Sequence, residues 1–261
     1  MTKIIVVINQ KGGVGKSTLA FHLAHAAAEG KSANGATKKN NRVLCIDLDS
    51  QANFSQYLTG DLDICNVTTG GVGDLLEGLA LNPHVTSHDG IDLLHGHANL
   101  DQFDGNVEIE DRGYSPTMRE YLRSLDYDVI IIDTPPAVGF RHMAPLCWAD
   151  LALIPMEPVM SSIVGFQNVL SAISDVIAPI NPALKWVGVI NRANMRVKSH
   201  REKDEFVRSE YGDPILETLS TRTSVSDAME EEPAQPVWLR KSAPKALREQ
   251  WHRFCKKVIS N

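Results

Sequence analysis

The chain has 261 residues, 43% hydrophobic and 22% charged, a globular composition that excludes a disordered, collagen-like or coiled-coil protein. Four well-separated cysteines with no CxxC pair exclude a disulfide framework and a zinc ribbon, and point to a reducing compartment. The net charge of −6 would argue against a nucleic-acid partner, but it hides a split: residues 43–111 hold 13 of the 32 acidic residues and no Lys or Arg, leaving 26 basic against 19 acidic elsewhere.

Residues 4–8 form a continuous apolar, β-branched run, which predicts a buried parallel strand. A glycine-rich turn follows, and then an Ala- and Leu-rich helix over residues 17–28. Residues 31–41 (KSANGATKKNN) are small, polar and basic and read as an exposed loop. A second buried strand is expected over residues 43–48. Residues 101–113 are acidic and show no clear period. Further strands are expected over 128–133, 151–155 and 186–191, and helices over 116–125, 161–177, 199–211 and 245–259. Strands alternating with helices predict an α/β fold: a mostly parallel twisted sheet with helices on both faces, in three layers. The alternation never changes character, so a single domain over 1–261 is expected. The opening MTKIIVVINQKGG is too short an apolar run for a signal peptide. No run of about 18 apolar residues predicts a membrane span.

The sharpest motif is Gln10, Lys11, Gly12, Gly13, Val14, Gly15, Lys16, Ser17, Thr18. It lies between a predicted buried strand and a predicted helix, the setting a phosphate-binding loop requires. Glycines let backbone N–H groups line an anionic concavity, and the helix N-terminus adds its positive dipole end. Lys16 would reach the β- and γ-phosphates, and Ser17 would offer its hydroxyl to Mg²⁺. Asp47 and Asp49 in CIDLDSQ share one face at the end of the second strand. Asp133 closes the third predicted strand in IIIDTPP, the form of a Walker B carboxylate. Loops at the carboxyl ends of parallel strands are where open sheets place ligands.

The general P-loop pattern is not quite met. Gln10 stands where its first glycine would fall, and a second lysine, Lys11, precedes the glycines. KGGVGKS resembles the deviant Walker A motif of the ParA/MinD ATPases. That resemblance implies an ATP- and Mg²⁺-dependent ATPase, and a nucleotide-sandwich homodimer in which Lys11 acts in trans. A surface lysine near phosphate in cis is the alternative. DLDSQANFS is similar to the family's second nucleotide motif, with Ser50 and Ala52 in place of its Pro and Gly. By this resemblance Asp49 positions the attacking water and Asp47 supports Mg²⁺, while DTPP senses the γ-phosphate. Asn191, ending the fifth predicted strand in GVINR, resembles an adenine-side contact; a turn Asn is the alternative. No NKxD sequence is present, which favours ATP over GTP.

Residues 192–208 carry six basic and three acidic residues, and residues 238–257 seven and one. Lys and Arg neutralise phosphates without reading sequence, so this half suits non-specific double-stranded DNA. The resemblance supports that use, with Arg196 and Arg222 near the family's DNA-contact positions and solvated basic faces as the alternative. It is closest to small plasmid ParA proteins of the IncC kind. It implies a ParB-type adaptor that stimulates hydrolysis, drawn by the acidic face, and a cytoplasmic, nucleoid-associated location. No helix-turn-helix precedes the P-loop, which suggests cargo positioning without promoter repression. Leu247, Trp251, Phe254, Val258 and Ile259 form one stripe on the last helix. Packing on its own domain is favoured over a MinD-like membrane contact. Positioning of a protein body would share every motif. An iron–sulfur reductase of this fold lacks a suitable partner for Cys147, and no substrate pocket of a metabolic kinase is evident.

Overall fold

The computed structural model describes residues 1–30 and 40–261; most of the loop expected at 31–41 lies outside the described residues. Eight strands form one sheet in the order β3-β4-β2-β5-β1-β6-β7-β8. They are β1 (Lys3–Val7), β2 (Val43–Asp47), β3 (His84–Val85), β4 (Ile91–Leu94), β5 (Val129–Asp133), β6 (Leu151–Met156), β7 (Lys185–Ala193) and β8 (Ile215–Ser220). Every pairing is parallel except β3 with β4.

Period-two alternation sends side chains of the central strands into two apolar layers. Ile4, Val6, Leu44, Ile46, Ile130 and Ile132 enter one layer. Ile5, Val7, Val43, Cys45, Val129 and Ile131 enter the other. Both faces are buried, which is why these strands read as unbroken apolar runs.

The helices are α1 (Lys16–Ala28), α2 (Asn53–Thr59), α3 (Val72–Glu77), α4 (Val107–Tyr114), α5 (Pro116–Ser124), α6 (Phe140–Met143), α7 (Pro145–Trp148), α8 (Met160–Ala172), α9 (Lys198–Tyr211), α10 (Thr223–Met229) and α11 (Lys245–Ser260). Local chemistry sets several boundaries. Asn106 accepts from the Ile109 N–H at the start of α4, and Ser115 does the same for Thr117 ahead of Pro116 at the start of α5. Helix α1 is buried nearly all round, between the sheet and α11.

The expected strands and helices fall within a residue or two of those found. The acidic stretch 101–113, without a clear period in sequence, forms a 3₁₀ segment (Ala98–Phe103) and α4. The apolar stripe of α11 is turned inward: Leu247, Trp251, Phe254 and Val258 are buried against the α1 layer. One expectation needs correcting. Met160–Ile177 is long and apolar enough, by length and composition, to cross a membrane. It packs Ile163, Phe166, Val169 and Ile177 against the sheet layer, so its apolar character is that of a helix with a core face.

Candidate nucleotide site

The site gathers at the carboxyl ends of β1, β2, β5 and β7. After β1 the chain turns through Gly13 (φ 80°) and Gly15 (φ 92°), the left-handed region that L side chains rarely enter. Gly15 is required twice over, since a Cβ there would meet Asn191 Nδ2 at 2.5 Å. Lys16 and Ser17 then open α1, so its first N–H groups and its dipole face the loop's concavity. Lys16 is buried, with 7% of its surface exposed. Burial lowers its pKa, while Asp133 and Asp49 pull it up.

Strand register brings the carboxylates together. Asp47 of β2 is the direct partner of Asp133 of β5, and Val7 of β1 flanks Asp133 on its other side. Both aspartates are fully buried. They differ in their bonding. Asp47 accepts from the Ser55 N–H (2.9 Å), the Ser55 hydroxyl (2.7 Å) and the Asp49 N–H (3.1 Å). Burial pushes its pKa to about 7 against those bonds. Neither oxygen of Asp133 meets a donor in full hydrogen-bond geometry, although the Ser17 hydroxyl stands close enough to act on it. Burial and the Asp47 charge raise it well above the usual carboxylate range, opposed by the neighbouring Ser17 hydroxyl and Lys16 ammonium. A buried carboxylate so weakly compensated is costly, and a cation is the usual remedy. Asp133 therefore fits a metal ion held jointly with Ser17. Asp47, with its oxygens already engaged, fits a supporting place behind it.

A cavity of about 420 Å³ opens over the loop, lined by Gly12, Gly13, Gly15, Lys16, Ser17 and Thr18 together with Asp49, Pro135 and Arg192. Asp49 stands at its wall, half-buried, its Oδ1 accepting from the Gln51 N–H at 3.0 Å. Lys11 is exposed, next in the chain to Gly12 of the cavity lining. Its N–H donates to Asn9 Oδ1 at 2.7 Å, and Asn9 Nδ2 donates to the Pro155 carbonyl at 2.7 Å. Gly165 of α8 allows this, because a Cβ there would lie 2.6 Å from Asn9 Oδ1.

A second cavity of about 230 Å³ continues from Gly15 and Thr18 and is lined by Asn191, Arg192, Ser220, Thr221, Arg222 and Trp251. Asn191 does line it, but its amide is engaged locally. Nδ2 donates to the Val14 carbonyl at 2.8 Å, and Oδ1 accepts from the Arg192 N–H at 2.9 Å. Asn191 is thus first a prop for the phosphate loop. Arg222, expected on a DNA surface, is exposed beside this cavity. Arg196 is exposed in the turn before α9, where its carbonyl accepts from Arg201 Nη1 at 3.1 Å.

Sequence reasoning missed Asn9, Ser55, Tyr57, Arg141 and Arg192. Ser55 closes the DLDSQANFS run already singled out, whereas Tyr57 and Arg141, which line the larger cavity, come from elements that carry no nucleotide motif. Arg192 adopts φ 53° at the end of β7 and lines both cavities; its place directly after Asn191 was the available signal.

A family model described as an AAA domain matches residues 2–186. The chromosome-partitioning ATPase Soj of Thermus thermophilus is 30% identical over 219 residues, 84% of this chain and 80% of Soj. The chromosome partitioning protein ParA of Myxococcus xanthus is 31% identical over 237 residues, 84% of this chain and 75% of that protein. A plasmid partition protein from Borrelia burgdorferi bound to AMPPNP superposes with a TM-score of 0.78 at 22% identity, covering 100% of this chain and 99% of its own, which shows a common fold. With two partition proteins at this identity aligned along most of its length, the chain belongs to the ParA/Soj-type partition ATPases.

Proposed function

We propose that this chain is an ATP-driven switch that closes into a homodimer, binds double-stranded DNA without reading sequence, and releases it on hydrolysis. The observation that carries the reading is the fully buried Asp133 carboxylate, offset only by the nearby Ser17 hydroxyl and Lys16 ammonium, beneath a loop whose backbone is shaped for phosphate. Backbone N–H groups of residues 12–18 and the Lys16 ammonium would hold the phosphates of ATP. Ser17 and Asp133 would hold Mg²⁺, with Asp47 behind them. The bound nucleotide supplies the phosphoanhydride that is cleaved. Asp49 orients water at the cavity wall, and Lys11 reaches to the phosphates of the second chain. Asn191 and Arg192 border the space for the nucleoside.

Closure of two chains would double the basic surface offered by Arg196 and its neighbours, and affinity for DNA would rise steeply. A ParB-type adaptor with a basic segment suits the acidic face of residues 43–111. Hydrolysis then opens the dimer, and repeated cycles move the adaptor's cargo through the cytoplasm over the nucleoid.

Sedimentation velocity tests the switch. The wild-type chain should sediment as a dimer with ATP and Mg²⁺ and as a monomer with ADP. Lys16→Ala should stay monomeric in both, because the phosphate charge then meets no buried cation. A dimer formed by Lys16→Ala only when ATP is added would refute the assignment.

A further inference from the structure

The Leu48 peptide joins Asp47 to Asp49, and the end of β5 and the start of α6 grip it from both sides. Its N–H donates to the Asp133 carbonyl at 3.0 Å. Its carbonyl accepts from Arg141 Nη1 at 3.0 Å. The Arg141 side chain is 2% exposed, yet all its partners come from other segments. Nε and Nη2 donate to Asp104 Oδ2 at 3.2 and 2.7 Å, and Nη2 also donates to Asp101 Oδ1 at 2.6 Å. The Arg141 N–H donates to Asp104 Oδ1 at 3.1 Å. Asp104 is the inner partner. Asp101 is 73% exposed and lines the phosphate cavity together with Arg141 and Asp49.

A planar guanidinium with five donors can span three such partners at once, which a lysine cannot. One buried cation thus ties the end of β2, the start of α6 and the turn at residues 98–104. We propose that Arg141 is the positioning residue of the hydrolytic step. It fixes the Asp49 backbone through the Leu48 carbonyl, and it makes that position depend on where Asp101 and Asp104 hold the guanidinium. A partner that pulls on the 98–104 turn would therefore act on Asp49 through Arg141. The inference rests on the reading of Asp49 as the residue that orients water.

The test combines kinetics with amide hydrogen exchange. In nucleotide-free Arg141→Lys, exchange at residues 48–53 should rise about tenfold or more, because the Leu48 carbonyl loses its donor. With ATP, kcat should fall about 10- to 100-fold, the scale of a displaced reacting group, while KM stays within about threefold. Placed in an Asp49→Ala chain, Arg141→Lys should cause no further loss of kcat. Equal loss in both backgrounds, or unchanged exchange at 48–53, would overturn the proposal. Asp101→Ala, a change at an exposed carboxylate, guards against misfolding of the lysine variant. It should lower kcat about threefold at unchanged KM and raise the same exchange, and wild-type behaviour in both measurements would overturn the proposal. If Asp49→Ala itself turns over normally, the Asp49 reading fails, and the exchange result still decides whether Arg141 fixes that backbone.

Discussion

Gly15 and Asn191 show how single residues shape the site. The loop carbonyl of Val14 is held by Asn191, whose Nδ2 stands where any Cβ on Gly15 would fall. Gly15→Ala must therefore displace Asn191 and accept a left-handed backbone, at a cost of about 1–2 kcal/mol for the backbone alone. Titration calorimetry should show ATP affinity falling at least about tenfold in Gly15→Ala, and less in Asn191→Ala, which loses only the prop. His22, nearly two turns into α1, is a second case. It is fully buried, with Nδ1 against the Thr18 carbonyl (2.7 Å) and Nε2 accepting from the Val237 N–H (3.1 Å), so the ring is neutral. Burial lowers its pKa to about 4, opposed by the bond to Thr18. The unfolded chain, with a histidine pKa of about 6.5, takes up the proton first as pH falls. Stability from His22 is therefore fully present above pH 6.5 and lost on descent toward pH 4, by about 3 kcal/mol. Urea unfolding at pH 7 and pH 4.5 should show a larger loss for the wild type than for His22→Leu. Equal losses would mean that the ring is not held neutral.

At the scale of elements, α1 connects the phosphate loop to the C-terminal helix. Trp251 of α11 is 2% exposed and its ring lies tilted against His22 with centroids 4.6 Å apart, while it also borders the cavity beyond Gly15. Trp251→Ala should cost about 3–5 kcal/mol of stability in chemical denaturation, as large core truncations do. A loss below about 1 kcal/mol would mean that α11 is loosely docked and its stripe is free for another surface. The central strands and the long helices were legible because their apolar runs and periods are strong. The edge strands were not. β8 (ILETLS) is half-buried and polar, and β3 has two exposed residues, so neither carries an apolar run. Within the site, the phosphate loop and the strand-end aspartates were legible from spacing. Arg141 was not, because its role depends on Asp101, Asp104 and Leu48, which tertiary structure alone brings to it.

Across the whole molecule, strand order separates the charges. The lysine- and arginine-free residues 43–111 supply β2, β3 and β4 at one end of the sheet. The basic residues after β7 and on α9 lie toward the other end, where β8 also meets α11. Arg196, Lys198 and Arg201 are exposed there, and Lys245, Arg253 and Lys257 are exposed on α11, which packs along α1. A net charge of −6 is thus compatible with a local phosphate-binding surface. The measurement that bears most directly on the proposed switch is binding to unrelated duplex DNA with no nucleotide, with ADP, and with ATP plus Mg²⁺, each at two salt concentrations. Binding is expected with ATP and Mg²⁺ alone, weakened steeply by salt and lost in Lys16→Ala and Arg196→Ala. Binding that is equal in all three nucleotide states, or absent from all of them, would contradict the proposed switch.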